Sequence, residues 1–453
     1  MSTSLKAAAA VLSFAALVAA APLAQAEMTA AEADRLGKDL TPNGAEKAGN
    51  KDGSIPAWDG GLTKPPAGWK PEQGYVDPFA NEKPLFVITA QNMEQYKDKL
   101  TPGLQSLLKK YPATFKLPVY PSHRSFSYPQ AVYDATKAHA PKVKSSGDGI
   151  ENYNEPGFTP FPMPKNGIEA MFNHKLWWFG GYNRCNDWLP TRASGEYYRV
   201  GFCEEFIQGQ NFDNKQSNHI FSFYGLYDAP ATLLGTIYLV HDPIDYTKGQ
   251  RQAWIYNAGQ RRVRRAPDVA FDNIDDGTEG MRTTDDYWMF NGSFERYNWK
   301  LVGKKEMYIP YNAYKINDSR LKYADMMDKG SLKSDLRRYE LHRVWVVEAT
   351  LKPGMSHVYG KRVYYLDEDS YQIALGDIYD TRGSLWRVSE AHLLEAYDTQ
   401  TMFQSPTVVH DLANGSFIAQ ALMNERKAPV YAWNAKGKWA AFQMDAIRRK
   451  GTR

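Results

Sequence analysis

One stretch of the chain, residues 339–423, constrains the fold more than any other. In its first run, 339–351, six of seven positions of one parity are apolar, while the other parity mixes charged and apolar residues. A period of two residues is typical of a half-buried strand. Five more runs follow, at 357–366, 371–379, 385–396, 407–412 and 416–423. The last two flank Asn414-Gly415, a strong hairpin signal. The stretch predicts six antiparallel strands in one large, curling sheet.

The rest of the chain divides into an irregular segment, a helical part and further strands. Residues 27–40 have the apolar spacing of a short helix, whereas 41–84 are too rich in proline and glycine for regular structure. Aromatic residues spaced through 41–84 predict an extended segment that lies on the surface and inserts side chains. Helical patterns dominate 85–182, with helices predicted over 90–100, from Thr101-Pro102 onward and over 166–182. Strands dominate 188–453, among them runs at 196–207, 219–229 and 287–299. We therefore predict a single β-rich domain of the α+β class over 85–453.

The first 26 residues have the composition of a secretory signal peptide. Lys6 is a short basic region, residues 7–21 are apolar, and Ala24-Gln25-Ala26 fits a cleavage site after Ala26. The alternative, a membrane anchor, is disfavoured because the apolar run is too short to span a bilayer. The segment predicts export to the periplasm, with outer-membrane association as a second option.

The charge balance is nearly neutral, at a formal net charge of +4. This predicts no nucleic-acid partner and no strong attraction to a membrane surface, although a peripheral membrane contact is compatible with it. The two cysteines, Cys185 and Cys203, favour a disulfide in an oxidising compartment. It would close a loop of about 19 residues and contribute roughly 3 kcal/mol on the chain-entropy model. The alternatives are two free thiols or half of a metal site, for which metal-ligand spacing is lacking.

No catalytic motif is present, neither a G-x-S-x-G elbow, nor H-E-x-x-H, nor a glycine-rich phosphate loop. The acidic loop 272–277 fails the EF-hand pattern, because Ile274 stands at a ligand position and Thr283 at that of the closing glutamate. We predict no catalytic residue, cofactor or metal. Active sites assemble in space, however, so an exported hydrolase stays open as an alternative. It would require some of six residues to converge: His241, Asp242, His342, Glu348, His357 and Asp377.

Bulky apolar residues on one parity of the predicted strands are candidates for an apolar ligand site. They are Trp254, Tyr256, Trp288, Phe290, Leu341, Trp345 and Val347. Such a site and an ordinary core look alike in sequence, because both are concave and mostly hydrophobic. Arg262 and Arg264 would share one strand face and are candidates for head-group or anion contact. The alternative for these arginines is internal pairing with the nearby aspartates of 272–286.

Several long runs resemble a proteobacterial family catalogued as domain of unknown function 1329. These runs are 40–46, 49–58, 259–267, 299–312 and 338–349. The resemblance implies an exported protein likened in fold to the Lol lipoprotein carriers, a curved antiparallel half-barrel with helices in or over its concave face. It also implies an association with inner-membrane transporters of the resistance-nodulation-division type, which are thought to move lipids. It implies no catalytic residue.

The sequence therefore predicts a periplasmic carrier or binding protein for a lipid or other hydrophobic ligand, working with such a transporter. Two alternatives remain beside it. One is the hydrolase, acting on a hydrophobic or envelope substrate. The other is a structural envelope protein that uses 41–84 as a docking segment.

Overall fold

The computed structural model describes residues 28–154, 156–267, 269–427 and 431–451. The predicted signal peptide, 1–26, lies outside these residues. Among the helices of the described chain, none combines the length and the apolar character needed to span a bilayer.

Strands dominate the described chain. They are β1 (Phe86–Ile88), β2 (Leu117–Val119), β3 (Lys144–Ser146), β4 (Gly149–Glu151), β5 (Gly181–Thr191), β6 (Val200–Gln208), β7 (Phe221–Tyr227), β8 (Ile237–Asp242), β9 (Gln252–Asn257), β10 (Arg262–Arg265), β11 (Tyr297–Pro310), β12 (Met327–Asp328), β13 (Ser331–Leu332), β14 (Tyr339–Leu351), β15 (Tyr359–Asp367), β16 (Ile373–Asp380), β17 (Leu385–Ala396), β18 (Thr401–Asp411), β19 (Phe417–Leu422) and β20 (Ala432–Trp433).

The helices are short. They are α1 (Ala30–Ala33), α2 (Pro102–Lys110), α3 (Gln130–His139), α4 (Gly167–Lys175), α5 (Tyr323–Met326) and α6 (Met444–Gly451). Thr101 caps α2 by accepting a hydrogen bond from the Leu104 amide, and Pro102 occupies the first helical position.

Sixteen of the described strands form one open sheet. Its antiparallel path runs β11, β14, β15, β16, β17, β18, β19, β5, β6, β7, β8, β9, β10. A parallel bridge joins β2 to the start of β14, and β20 pairs with β5. The path ends at β10 without returning to β11, so the sheet does not close.

The six-strand meander is confirmed: β14 to β19 pair in chain order, each with the next. Gly415 has a φ of +80° between β18 and β19, as the Asn-Gly signal requires. The earlier strands extend the sheet beyond β19, because β5 pairs with β19. The predicted β-dominated α+β class, with one large antiparallel sheet and helices packed over it, is also confirmed.

Several predicted boundaries are wrong, and tertiary contacts explain them. The helix predicted over 27–40 is the single turn α1, and the helix predicted over 90–100 is a 3-10 helix, Met93–Lys99. The helix predicted over 166–182 ends at Lys175, since β5 begins at Gly181 and not at 188. Residues 287–289, predicted as the start of a strand over 287–299, belong instead to a kinked 3-10 segment, Thr284–Met289, in which Trp288 has a φ of +53°.

Both faces of the sheet are covered. The aromatic face is the side on which β6 carries Phe202 and Phe206, and by register it continues to Trp345 and Val347 on β14. Helix α4 and the segment 269–294 cover it. The opposite face packs against α2 at β16 and β17, and against α6 at β8 to β10.

Residues 41–58, here called the strap, are held against the turn between β15 and β16 by two arginines that form buried ion pairs with acidic residues of that turn. Arg124 donates to both carboxylate oxygens of Asp369, at 2.6 and 2.9 Å, and to the backbone oxygen of Glu46. Arg343 donates to Glu368 at 2.7 Å and also to the Glu46 oxygen. The strap contributes to the folded core through polar contacts as well as inserted side chains.

Candidate functional site

An apolar cavity lies on the aromatic face, between β5–β8 and the segment 269–291. Its volume is about 60 Å³. We call this space the aromatic cleft. Its floor consists of Trp188, Phe202, Phe206, Phe221, Phe223, Tyr227, Tyr238 and Val240. Its roof comes from the segment 269–291, which begins just after β10 and precedes β11.

Strand alternation builds the floor. Side chains two apart share a face, so Phe202 and Phe206 of β6 meet Tyr227 and Phe223 of β7, their register partners. The ring centroids are 4.7 Å apart for Phe202–Tyr227 and 4.5 Å apart for Phe206–Phe223. Gly225 lies between them, and a Cβ at this position would come within 2.3 Å of the Phe202 ring. Glycine here lets the rings lie close over the strand.

The charged side chain that the roof contributes to the cleft, Arg282, is paired with a carboxylate. The Arg282 guanidinium lies 4.7 Å from the ring centroids of both Trp188 and Tyr287, and it pairs with Asp275 at 2.6 Å. Burial raises the pKa of the Asp275 carboxyl. Tyr287 donates a hydrogen bond to Glu204, a residue of β6 that also pairs with Arg184. The lining charges Arg282 and Asp275 thus neutralise each other, and the floor is apolar.

The roof is anchored on the meander. Asp285 accepts a hydrogen bond from Arg362 at 2.7 Å and lies 3.2 Å from His357. Arg387 donates to the Gly280 backbone oxygen at 2.6 Å. The Arg362 guanidinium holds the pKa of the Asp285 carboxyl well below its usual range, against the opposing effect of burial. The roof is thus tied by ionic contacts to strands that do not line the cleft.

A second cavity, of about 390 Å³, adjoins the cleft. We call it the outer cavity. Its walls are Tyr246, Gln250, Arg251, Ala253, Arg265, Pro267, Ala270, Phe271, Gly292 and Ser293. Arg251 lines both spaces, and the chain passes from one wall to the other at residues 269–270 and 291–292. Arg251 and the chain at 269–270 and 291–292 therefore form the partition between the two cavities.

Comparison with known proteins agrees with the resemblance noted in the sequence. The family model described as "Protein of unknown function (DUF1329)" matches residues 87–448. An uncharacterized protein of Pseudomonas aeruginosa is 47% identical over 436 residues, which cover 94% of this chain and 95% of the relative. This chain belongs to the DUF1329 family.

Solved structures with weaker likeness include another DUF1329 protein, from Desulfovibrio piger. It has 15% sequence identity and a TM-score of 0.41, covering 61% of this chain and 95% of that one. A LolA superfamily protein from Nitrosomonas europaea has 11% identity and a TM-score of 0.38, covering 62% of this chain and 99% of that one.

In this DUF1329 protein, Trp254 and Tyr256 share one face of the sheet, as the alternation predicts. That face is the one opposite the aromatic face. They pack in a small core with Phe442 and Ile447 under α6. Neither lines the aromatic cleft. Their surroundings are those of core residues, and ligand contact at these two positions stays a prediction.

The other five candidate ligand residues lie on or near the aromatic face. Trp288 is in the roof and packs 4.6 Å from Phe206. Phe290 is buried on Phe294, Trp299 and Tyr364. The remaining three, Leu341, Trp345 and Val347, are on β14 in the main core. None of the five lines the cavity itself, although Trp288 belongs to the roof segment, and their ligand role also stays a prediction.

Arg262 and Arg264 share one face of β10, as predicted, and both are exposed. The aspartates expected to pair with them have other partners. Asp272 pairs with Arg296, Asp275 with Arg282, and Asp285 with Arg362. Internal pairing of Arg262 and Arg264 with these aspartates is therefore wrong.

Cys185 and Cys203 form the predicted disulfide. They are directly paired residues of β5 and β6, and by register they lie on the opposite face from the aromatic cleft. A polar cleft of about 840 Å³ surrounds them, lined by charged residues that include Glu205 and Arg426.

The six residues of the hydrolase alternative are dispersed. Their partners are Phe442 for His241, Arg251 for Asp242, Glu340 for His342, Lys361 for Glu348, Asp285 for His357 and Gly103 for Asp377. No two of the six contact each other through these bonds. The arrangement that this alternative required is not present among them.

His342, Asp367 and Asp369 are a buried group with the spacing for a metal ion. Glu340 lies 3.1 Å from Nε2 of His342, and Nδ1 lies 3.8 Å from an Asp367 oxygen. Arg124 already donates to both oxygens of Asp369, so this carboxylate neutralises a guanidinium. We interpret the group as part of the ionic contact that holds the strap.

Sequence reasoning missed the cleft residues, although a signal was present. The predicted strands at 196–207 and 219–229 each carry aromatic residues on one parity: Phe202 and Phe206 on the first, Phe221, Phe223 and Tyr227 on the second. Their co-location required knowing that the two strands are neighbours.

Proposed function

We propose that this DUF1329 protein binds a hydrophobic ligand in the aromatic cleft and carries it through the periplasm. The observation that carries the proposal is a floor of aromatic rings, with no unpaired charge in its walls, beside a larger cavity. Predicted export by residues 1–26 supports the periplasmic location. Transfer to or from a resistance-nodulation-division transporter is part of the proposal and is supported only by the family resemblance.

The size of the cleft sets a condition on binding. At about 60 Å³ it is too small for a drug-sized ligand, because such sites usually hold about 300–1,000 Å³. Movement of the partition at 269–270 and 291–292 would join the cleft to the outer cavity of about 390 Å³. The described conformation is then the closed one, and the ligand displaces the partition when it enters.

Native mass spectrometry of the protein purified from its own periplasm tests this proposal. We expect a population heavier than the apo mass, which loses the added mass on extraction with organic solvent. A clean apo mass, together with no transfer of lipid between vesicles, would contradict the proposal.

The substitution Val240→Trp places a larger side chain in the cleft and should abolish the added mass. Val358→Trp is the matched control, because Val358 is exposed and lies outside the cleft. Overpacking at Val240 can cost about 1–3 kcal/mol, so circular dichroism must first show that both variants are folded. Retention of the ligand by folded Val240→Trp would place the site elsewhere.

A further inference from the structure

The β10 end of the open sheet is strongly basic. Four arginines in or just before this edge strand are exposed: Arg261, Arg262, Arg264 and Arg265. Across the described ranges, no hydrogen bond or ion pair engages any of their guanidinium groups. Unpaired arginines on a free sheet edge discourage strand-to-strand aggregation, but four along one edge, with Arg262 and Arg264 on one face and Arg265 on the other, also make a region of high positive potential.

Helix α6 adds to the same end. It packs against β8, β9 and β10, and its last turn carries Arg448, Arg449 and Lys450, all exposed. A Cβ on Gly451 would come within 2.1 Å of the Tyr256 ring, and the next residue, Asn257, is the register partner of Arg262. The helix terminus and the start of β10 are therefore neighbours. Together they gather seven basic residues in a chain whose formal net charge is +4.

An exposed leucine accompanies these charges. Leu234, in the turn between β7 and β8, is 57% exposed. A Cβ on the following Gly235 would lie 3.1 Å from the Cβ of Ala258, in the turn that leads to Arg261. The two turns are thus adjacent, and Leu234 lies next to the turn that leads into the arginines. We call Leu234, the four arginines and the last turn of α6 the basic end.

We propose that the basic end docks this protein on a membrane surface that contains anionic phospholipid. Guanidinium groups bind phosphate oxygens through two parallel hydrogen bonds, and an apolar side chain among them can enter the head-group boundary. An acidic protein would match the charge but gives no reason for the exposed leucine. Arg265 and Pro267 also line the outer cavity, so docking brings the mouth of that cavity close to the bilayer. The proposal does not depend on ligand binding in the cleft.

Co-sedimentation with vesicles tests the docking. We expect binding to vesicles of phosphatidylcholine mixed with phosphatidylglycerol, little binding to phosphatidylcholine alone, and release at high salt because the charges are screened. Replacing the four arginines of the basic end by glutamine should weaken binding to the anionic vesicles at least about tenfold. The substitution Leu234→Ser should weaken it by a smaller factor with the charge unchanged.

A matched control replaces four exposed basic residues elsewhere by glutamine. These are Lys97, Arg192, Arg320 and Arg382. Equal loss in the control and in the basic-end variant would overturn the proposal, as would equal binding to both kinds of vesicle. Retention of an acidic protein without any vesicle binding would also overturn it. Native mass spectrometry of the basic-end variant reports ligand loading separately, so docking and cleft binding can fail independently.

Discussion

The two halves of the sheet differ in how they hold charge. In the meander, Arg337 and Glu390 are both 0% exposed and lie 3.0 Å apart, and Glu390 is also 3.0 Å from His410. The half from β5 to β10 also buries ion pairs, among them Arg184–Glu204 and Arg251–Asp242. It differs in its edge strand, which carries exposed arginines with no hydrogen bond or ion pair within the described chain. The contrast is therefore between charges that are buried and paired and charges that are exposed at an edge.

We infer that the buried, paired charges support the fold, whereas the exposed arginines are available for binding. A buried ion pair loses several kcal/mol when one partner is removed, because the remaining charge is left uncompensated. An exposed arginine without a partner contributes little to stability, so its presence is better explained by contact with something outside the chain. The roof joins the two regions, since it covers the aromatic cleft but is anchored to Arg362 of the meander.

The largest effect is expected in the meander. The substitution Arg337→Met should lower the free energy of unfolding by roughly 3–5 kcal/mol, because it strands the buried Glu390 carboxylate. Urea unfolding measures this change. The control Arg192→Met removes an exposed ion pair with Glu196 and should have almost no effect. Similar losses in the two variants would erase the contrast between buried and exposed charge.

A pH-dependent effect should follow from Asp377. Burial under α2 raises the pKa of this carboxyl to about 7. The folded state then holds a proton that the unfolded state releases, so stability falls as pH rises from about 4 to 7, by roughly 4 kcal/mol at most. The substitution Asp377→Asn should remove this contribution to the loss of stability with rising pH. The measurement is the free energy of unfolding as a function of pH. The control is Asp445→Asn, at an exposed position. Parallel curves for wild type and Asp377→Asn would refute the role of Asp377.

The disulfide should stabilise the binding half without forming its site. Replacing both Cys185 and Cys203 by serine should lower the free energy of unfolding by about 3 kcal/mol, because the disulfide closes a loop and so reduces the entropy of the unfolded chain. Ligand loading of the folded variant should persist, since the disulfide is on the face away from the aromatic cleft. Loss of loading in a variant that is still folded would show that the two faces are coupled.

The smallest effect is expected at the basic end. Replacing its four arginines by glutamine should change the free energy of unfolding by less than about 0.5 kcal/mol, because their guanidinium groups make no hydrogen bond or ion pair within the described ranges. Thermal unfolding measures it. A large loss of unfolding free energy would mean that the arginines stabilise the fold, and their exposure would then not indicate an external partner.

Much of the fold could be predicted because its signals are local. The alternation of 339–351, the Asn414-Gly415 turn and the Thr101-Pro102 helix start each depend on a few neighbouring residues, and each is found. The errors lie where distant contacts decide. Residues 287–289 stand at the start of a predicted strand, but they belong to the roof, which is anchored where Asp285 binds Arg362 from another part of the chain.

The candidate site was less predictable. Trp254 and Phe206 look equivalent in sequence, since both are aromatic residues of alternating strands. The structure places Trp254 in a core under α6 and Phe206 in the floor of the aromatic cleft. Which face a helix or a roof covers depends on packing between segments far apart in sequence, and alternation alone carries no such information.

The sequence by itself determined the meander, the disulfide partners and the family, because strand periodicity, an even cysteine count and long shared runs are properties of the linear chain. Only the tertiary structure decided that β5 continues the sheet beyond β19, that Asp272, Asp275 and Asp285 bind other arginines, and that a basic edge is left exposed. These outcomes depend on which distant groups meet when apolar surface is buried. The free energy that favours one arrangement over another is a sum of contacts throughout the molecule.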